Sequence, residues 1–296
     1  MGFGEVLFDL MPSGPRLGGA PANFAYTASR LGVSAALVSA VGRDSMGKEA
    51  RRLLAEKEMT LYVTETDRPT GHVKVSFQEG GIPSYTFAAD PAYEAIPYTA
   101  DLAALAEKAD LCCFGSLASY GMVTRGTVRH FLLGMRRGSR RVFDVNLRGR
   151  FYSREGIASL LALSTAVKCN EEELPLLCAF AGLGEASPAA YEAYLLRQGI
   201  SCLIYTEGAK GSTVFLDGEC SVLAAPEERA ADTVGAGDSF TAAFFAGLAQ
   251  GLSLRESHAL AVRVSAYVCT QSGGMPDFPE DAPRWAERMG RKEESL

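Results

Sequence analysis

The run Asp232-Thr233-Val234-Gly235-Ala236-Gly237-Asp238-Ser239-Phe240 constrains this chain more than any other. From Phe240 the apolar positions fall at Phe240, Ala243, Phe244, Gly247 and Leu248, the i, i+3, i+4, i+7, i+8 spacing of one buried helical face. The two glycines ahead of that face let a ligand approach the main chain closely. The first turn of the helix carries unpaired N–H groups and a partial charge of about +0.5. Together these are the parts of an anion site. Asp238 would repel a bound phosphate unless it takes a proton from a group attacking it, which points to phosphoryl transfer. A plain turn followed by an acid set against the helix dipole would read the same way. The rest of the chain has to decide.

The 296 residues suffice for one large α/β domain or two small ones. A net charge of −6 leaves no basic surplus to neutralise phosphates, so neither nucleic acid nor an anionic membrane is expected as a partner. No run approaches the roughly 18 apolar residues of a membrane span. The start, Met-Gly-Phe-Gly-Glu, lacks the basic region of a signal peptide. The seven cysteines show no C-x-x-C spacing and read as buried thiols of a cytoplasmic protein. His72, His130 and His258 have no metal-site spacing.

Residues 3–8 form a β-prone run ending at Asp9, a carboxylate placed where open α/β sheets bind ligands or simply where a strand turns. Gly18-Gly19-Ala20-Pro21-Ala22-Asn23 then opens a helix that stops at Gly32, with Pro21 suited to its first position. Asn23 offers donors and acceptors to a hydroxylated ligand. Gly42-Arg43-Asp44-Ser45-Met46-Gly47-Lys48-Glu49 imitates a P-loop, but Glu49 stands where a metal-binding hydroxyl should be, so it reads as a strand-to-helix turn.

Short alternating runs at Leu61–Thr66, His72–Phe77 and Ser84–Phe87 have no helices between them, which predicts a small antiparallel flap. After Pro97 strand–helix alternation resumes, the pattern of a mostly parallel sheet. Its strands end in polar residues: Asp144-Val145-Asn146-Leu147-Arg148, Asn170-Glu171-Glu172-Glu173, and Thr206-Glu207-Gly208-Ala209-Lys210-Gly211. Asn170 and Glu173 equally suit a helix capping box.

These pieces, in this order, resemble the ribokinase-like (PfkB) carbohydrate kinases over nearly the whole chain. The late D-T-V-G-A-G-D run is similar to that family's second motif, and Gly18–Asn23 looks like the GGxPAN form common in fructokinases. Val41-Gly42-Arg43-Asp44 with Gly47 resembles the first signature. The resemblance implies a single α/β domain over 1–296, a mostly parallel sheet flanked by helices, and a small antiparallel β lid from 10–17 and 60–90. It implies that Asp9, Gly19, Asn23 and Arg148 hold the sugar, that Asp238 is the base, and that Gly235, Ala236 and Gly237 form the anion hole. Asn170 and Glu173 would organise Mg²⁺ and phosphates through water, while Thr206, Gly208 and Gly211 border ATP. A potassium-type ion would lie at Asp232 and Val234, with further contacts near Ser265, Gly273 and Gly274. Val234 stands where the family often has threonine, which spares a backbone ligand and removes a side-chain one.

The expected activity is therefore an ATP-dependent sugar kinase, with fructose as the acceptor. A 2-keto-3-deoxygluconate kinase, with Arg148 on the substrate carboxylate, is the rival within the class. A non-catalytic sugar-binding regulatory protein is the rival outside it. A Rossmann reading of Gly235-x-Gly237 fails because Phe240 occupies the third glycine position. The apolar face of the flap predicts a homodimer through the lid, held partly by Val73, Val75, Phe77, Tyr85 and Phe87.

Overall fold

The computed structural model describes residues 1–12, 14–77, 83–227 and 231–290. The N-terminal part runs β1 (Gly2–Phe3), β2 (Leu7–Met11), β3 (Gly14–Gly18), α1 (Ala20–Arg30), β4 (Ala36–Gly42), α2 (Ser45–Ala55), β5 (Thr60–Thr66), β6 (Gly71–Phe77) and β7 (Pro83–Phe87). The middle follows as α3 (Ala100–Ala106), β8 (Leu111–Gly115), α4 (Met122–Gly134), β9 (Arg140–Asp144), α5 (Arg154–Leu161), β10 (Ala166–Asn170), α6 (Leu174–Phe180) and α7 (Pro188–Arg197). The last part is β11 (Cys202–Thr206), β12 (Ser212–Leu216), β13 (Glu219–Leu223), α8 (Ala236–Ala249), α9 (Leu254–Cys269) and α10 (Trp285–Gly290).

The large sheet has the order β13-β12-β11-β10-β9-β8-β1-β4-β5. It is parallel from β11 to β5, and its antiparallel edge is the β12–β13 hairpin, closed by Asp217 and Gly218, both at positive φ. From β1 the chain moves outward through β4 to β5, then returns to β8 and builds the other way. The crevice where strand order reverses, between β1 and β8, is where such sheets bind ligands.

The sequence reads residues 3–8 as one strand, but Gly4, at φ 148°, breaks it. The chain leaves β1 in the large sheet and continues as β2 in a small sheet ordered β3-β2-β6-β7. Asp9 therefore belongs to the small sheet, not to the end of a central strand. That sheet has two antiparallel pairs, β2–β3 and β6–β7, joined by a parallel β2–β6 pair. Residues 60–66, expected in the flap, instead pair in parallel with β4 as the edge of the large sheet. An edge strand is half-solvated, so it alternates like a flap strand and sequence pattern cannot separate the two.

Two of the residues expected to hold a dimer are occupied within the protomer. Val73 is buried with Leu7, Tyr93, Leu117 and Ala118, and the Phe87 ring lies 4.9 Å from that of Phe151. The register turns these two residues inward, a choice the alternation leaves open. The side chains of Val75, Phe77 and Tyr85, the Gly80-Gly81 turn and the tail from Arg291 lie outside the described residues.

Helix α8 was expected to bury one face, yet every residue from Ser239 to Gly247 is buried. It runs between α1 and α9, so no side is left to solvent. Small residues make this possible: Gly247 has Ser257 of α9 so close that a Cβ there would stand 2.9 Å from its hydroxyl. The P-loop lookalike is a helix start, with Asp44 accepting from the Gly47 N–H at 2.7 Å. Five of the seven cysteines are buried, while Cys220 is exposed and Cys269 half-buried. No helix among the described residues is long and apolar enough to cross a membrane.

His258 of α9 fastens the β12–β13 hairpin to the helix layer. Its Nε2 lies 2.8 Å from Ser212 Oγ and its Nδ1 2.8 Å from Ser221 Oγ. Burial, helped by Arg255, pushes its pKa down to about 4. The unfolded chain takes up a proton at this residue below about 6.5 and the folded chain does not until about 4, so stability is lost as pH falls through that window. His258→Gln, an uncharged donor and acceptor, removes the titration. Denaturation midpoints at pH 7 and 5 should show wild type losing more stability than the variant. An equal loss in both would mean that the imidazole is not held neutral by the fold.

Candidate active site

Gly235 caps α8 in the left-handed region, at φ 77°. A Cβ there would stand 2.5 Å from Gly274 Cα, so only glycine fits. The Ala236 N–H turns back to the Thr233 carbonyl at 3.3 Å, whereas among the described residues the amides of Gly235 and Gly237 have no backbone acceptor. The expected three-donor hole thus retains two free donors. Ser265 steadies the turn by donating to the Ala236 carbonyl at 3.1 Å.

Asp238 follows at once and is oriented from α1, where Asn23 Nδ2 donates to its Oδ2 at 2.7 Å. Asn23 Oδ1 is buried and has no protein partner among the described residues. Burial raises the Asp238 pKa and Asp144 adds to it, while the Asn23 hydrogen bond, Lys168 and Arg148 pull the other way.

Lys168 escaped the sequence reading, which took that strand end only from Asn170 onward. It lies on β10 between the buried Val167 and Cys169, is itself 6% exposed, and donates to Asp144 Oδ1 on β9 at 3.1 Å. A Cβ on Gly237 would be 2.9 Å from its Nζ, so the ammonium lies directly against the first turn of α8. Burial works against its charge, but Asp144, Glu173 and Asp238 outweigh it and the pKa rises. An ammonium has three donors and Asp144 takes one. The available signal was a lysine inside an apolar strand, a position rarely filled without a partner.

The other expected residues gather around this centre. Asp9 is partly buried on β2; burial raises its pKa, Arg148 and Arg16 oppose, and Asp232 adds. Arg148 is exposed beyond Asn146, whose φ of 40° turns the chain there. Gly19 is bare because a side chain would collide with the Glu5 carbonyl, 2.3 Å from its Cβ position. A Cβ on Gly211 would strike the Leu223 carbonyl at 2.2 Å, so the turn from Thr206 through Gly208 rests on the end of β13. Beside it Leu223, Ala224, Pro226, Ala259, Val262 and Ala266, with Arg263 among them, line a groove of about 330 Å³. Its apolar residues carry no motif, so sequence gave no warning of it.

Among the described residues no three His, Cys, Asp or Glu side chains converge as a metal site. Glu173 accepts the Leu147 N–H at 2.8 Å and the Asn170 N–H at 3.0 Å, while Asn170 Oδ1 accepts from Glu172 and Glu173 at 3.0 and 2.9 Å. The capping and site readings thus meet in the same atoms. Such an arrangement fits an ion held through water, as Mg²⁺ tolerates, and not one bound directly. The monovalent-ion site fits less well. The Asp232 carboxylate accepts from the Val234 and Gly273 N–H groups and is already matched by Arg16 Nη1 at 3.2 Å.

The profile of pfkB family carbohydrate kinases matches residues 15–281. The chain belongs to that family. A fructokinase from Klebsiella pneumoniae is 31% identical over 297 residues, covering 93% of this chain and 94% of its own. An ATP-dependent 6-phosphofructokinase from Thermoanaerobacterium thermosaccharolyticum is 29% identical over 270 residues, covering 89% and 82%. An uncharacterized sugar kinase from Pyrococcus horikoshii, solved with ATP, superposes with a TM-score of 0.80 at 27% identity, covering 97% and 98%. The protein is thus a sugar kinase with the ribokinase-like fold, as expected, and the non-catalytic reading falls away.

Lys168→Met in this pfkB kinase leaves Asp144 buried without its counter-charge and should cost about 3–5 kcal/mol. Replacing both, as Lys168→Met with Asp144→Leu, should restore most of that stability. Urea unfolding of the two variants checks it; equal destabilisation would mean that the pair is not coupled.

Proposed function

We propose that this pfkB kinase transfers the γ-phosphoryl group of ATP to a hydroxyl of a neutral sugar, and that the sugar is fructose. The observation that carries the reading is Asp238, oriented by Asn23 and set beside the free amides of Gly235 and Gly237 and the Lys168 ammonium. A carboxylate next to an anion hole serves a reaction in which a hydroxyl loses its proton while phosphate gains charge.

Asp9 and Asn23 hold sugar hydroxyls, and Gly19 keeps α1 close enough to do so. Asp238 accepts the proton as the sugar oxygen bonds to the γ-phosphorus, and the bond from that phosphorus to the β–γ bridging oxygen breaks to release ADP. The two amides and Lys168 meet the charge on the transferring group. Ser265, which touches the anion hole, is followed along α9 by Ala266, with Val262 and Ala259 one and two turns back, so the apolar groove adjoins the hole and suits the purine. Thr206, Gly208 and Gly211 border the nucleotide there. Mg²⁺ carried by ATP, held through water near Asn170 and Glu173, would neutralise phosphate charge.

The choice of a neutral sugar rests on charge. Lys168 faces Asp144 and Arg16 faces Asp232, so these two cations are already matched. The fructokinase relative and the GGAPAN segment support fructose in particular. One observation favours a keto-sugar acid instead: the guanidinium of Arg148 is exposed and has no ion-pair partner among the described residues.

Asp238→Asn should lower kcat by about 10²–10⁴-fold, the usual worth of a general base, with the fold and ATP affinity kept. Retention of more than about a tenth of the activity would rule out that role. In a coupled ADP-release assay over fructose, fructose 6-phosphate, other neutral sugars and 2-keto-3-deoxygluconate, fructose should give the highest kcat/KM. A higher value for either anionic acceptor would overturn the neutral-sugar assignment.

A further inference from the structure

One buried acid at this site has no part in the chemistry above. Glu5 lies between β1 and β2, where the chain passes from the large sheet to the small one, and is 2% exposed. Its carbonyl is pinned beneath the bare Gly19 at the start of α1. Its Oε2 is buried with no hydrogen-bond partner among the described residues. The charged groups whose fields reach it are Asp238 on α8, Asp144 on β9 and Arg148 beyond β9, and Glu5 in turn acts on Tyr93.

With every group ionised, Glu5 would add a further carboxylate to Asp144, Asp238 and Glu173, which already share Lys168 and the field of Arg148, an arginine largely in water. A buried charge that is incompletely paired is costly, and Oε2 has no hydrogen-bond partner among the described residues. An uncharged Glu5 adds nothing to that surplus of negative charge. Burial pushes the Glu5 carboxyl up to about 7, against the pull of its own backbone N–H, with Asp238 and Asp144 adding and Arg148 opposing.

We propose that Glu5 is a positioning residue of this active site that works in its protonated form. Acting through Asp238 and the anion hole, it keeps a further negative charge away from the place where the phosphates arrive. Ionised Glu5 would repel ATP and hold the Asp238 proton more tightly; protonated Glu5 does neither. The inference rests on the kinase reading for its consequence but not for its chemistry. Loss of the Glu5 proton above about pH 7 becomes a brake on nucleotide binding.

The same proton bears on the fold. The unfolded chain has released it above its ordinary value of 4.5, while the folded chain keeps it up to about 7, so this residue lowers stability progressively across that window as pH rises.

The test uses Glu5→Gln, which fixes the neutral form at nearly the same size. First, NMR of protein carrying ¹³C-labelled glutamate carboxyls should show one signal, absent from the variant, titrating between about pH 6 and 8. A midpoint below about 5 would overturn the proposal. Second, calorimetry needs no acceptor sugar: ATP affinity of wild type relative to Glu5→Gln should fall by up to about tenfold from pH 6 to 8, a ratio that cancels the titration of ATP itself. A constant ratio would overturn the positioning role. Thermal melts guard against a folding defect, since the Tm advantage of Glu5→Gln should grow from pH 5 to 8. Failure to phosphorylate any sugar would sink the kinase reading alone and leave both measurements standing.

Discussion

The ion pair between Lys168 and Asp144 lies under the rest of the site. The two residues are register partners on adjacent parallel strands, at the carboxyl ends where β9 and β10 face the cleft. Two charges this deep survive only together, because either alone would keep most of its desolvation cost. Once paired, they fix a positive charge against Gly237 and a negative one near Asp238. The balance at the floor of the cleft is therefore set by the sheet, before any ligand arrives.

Helix α8 converts that charge into a directed site. Its first turn is bare at Gly235, which abuts Gly274, and at Gly237, which abuts Lys168. Its remaining length is enclosed by α1 and α9, which leaves the N-terminus no freedom to tilt. Asn23 comes from α1 and Ser265 from α9, so the two helices that clamp α8 also hold Asp238 and the Ala236 carbonyl. Packing and chemistry are here the same set of contacts.

The small sheet brings the other wall. Since β2 continues directly from β1, Asp9 stands close to the large sheet, joined to it through the short segment 4–6 that also carries Glu5. Arg16 on β3 reaches Asp232 ahead of the anion hole, an ion pair that joins the two walls across the cleft. It is partly exposed, and contacts of that kind contribute little to stability.

By itself the sequence determined the fold class, the order of the motifs and the polar residues that end the strands. Alternation of strand and helix, glycines before α8, and capping residues are all local signals, and local geometry obeys them. It also singled out Asp238, Asn23 and the Asn170–Glu173 pair as candidates, because each stands beside a backbone turn that announces itself. Only the tertiary structure decided that Gly4 splits one β run between two sheets, that residues 60–66 form a sheet edge, and that Val73 faces inward. Those outcomes depend on which strand lies alongside, a long-range choice that an alternating pattern cannot encode. The burial of Lys168 and Glu5 was likewise invisible, since a charged residue in an apolar run names no partner until the sheet brings one. The charge arrangement around Asp238 belongs to the assembled sheet and to no single segment of the chain.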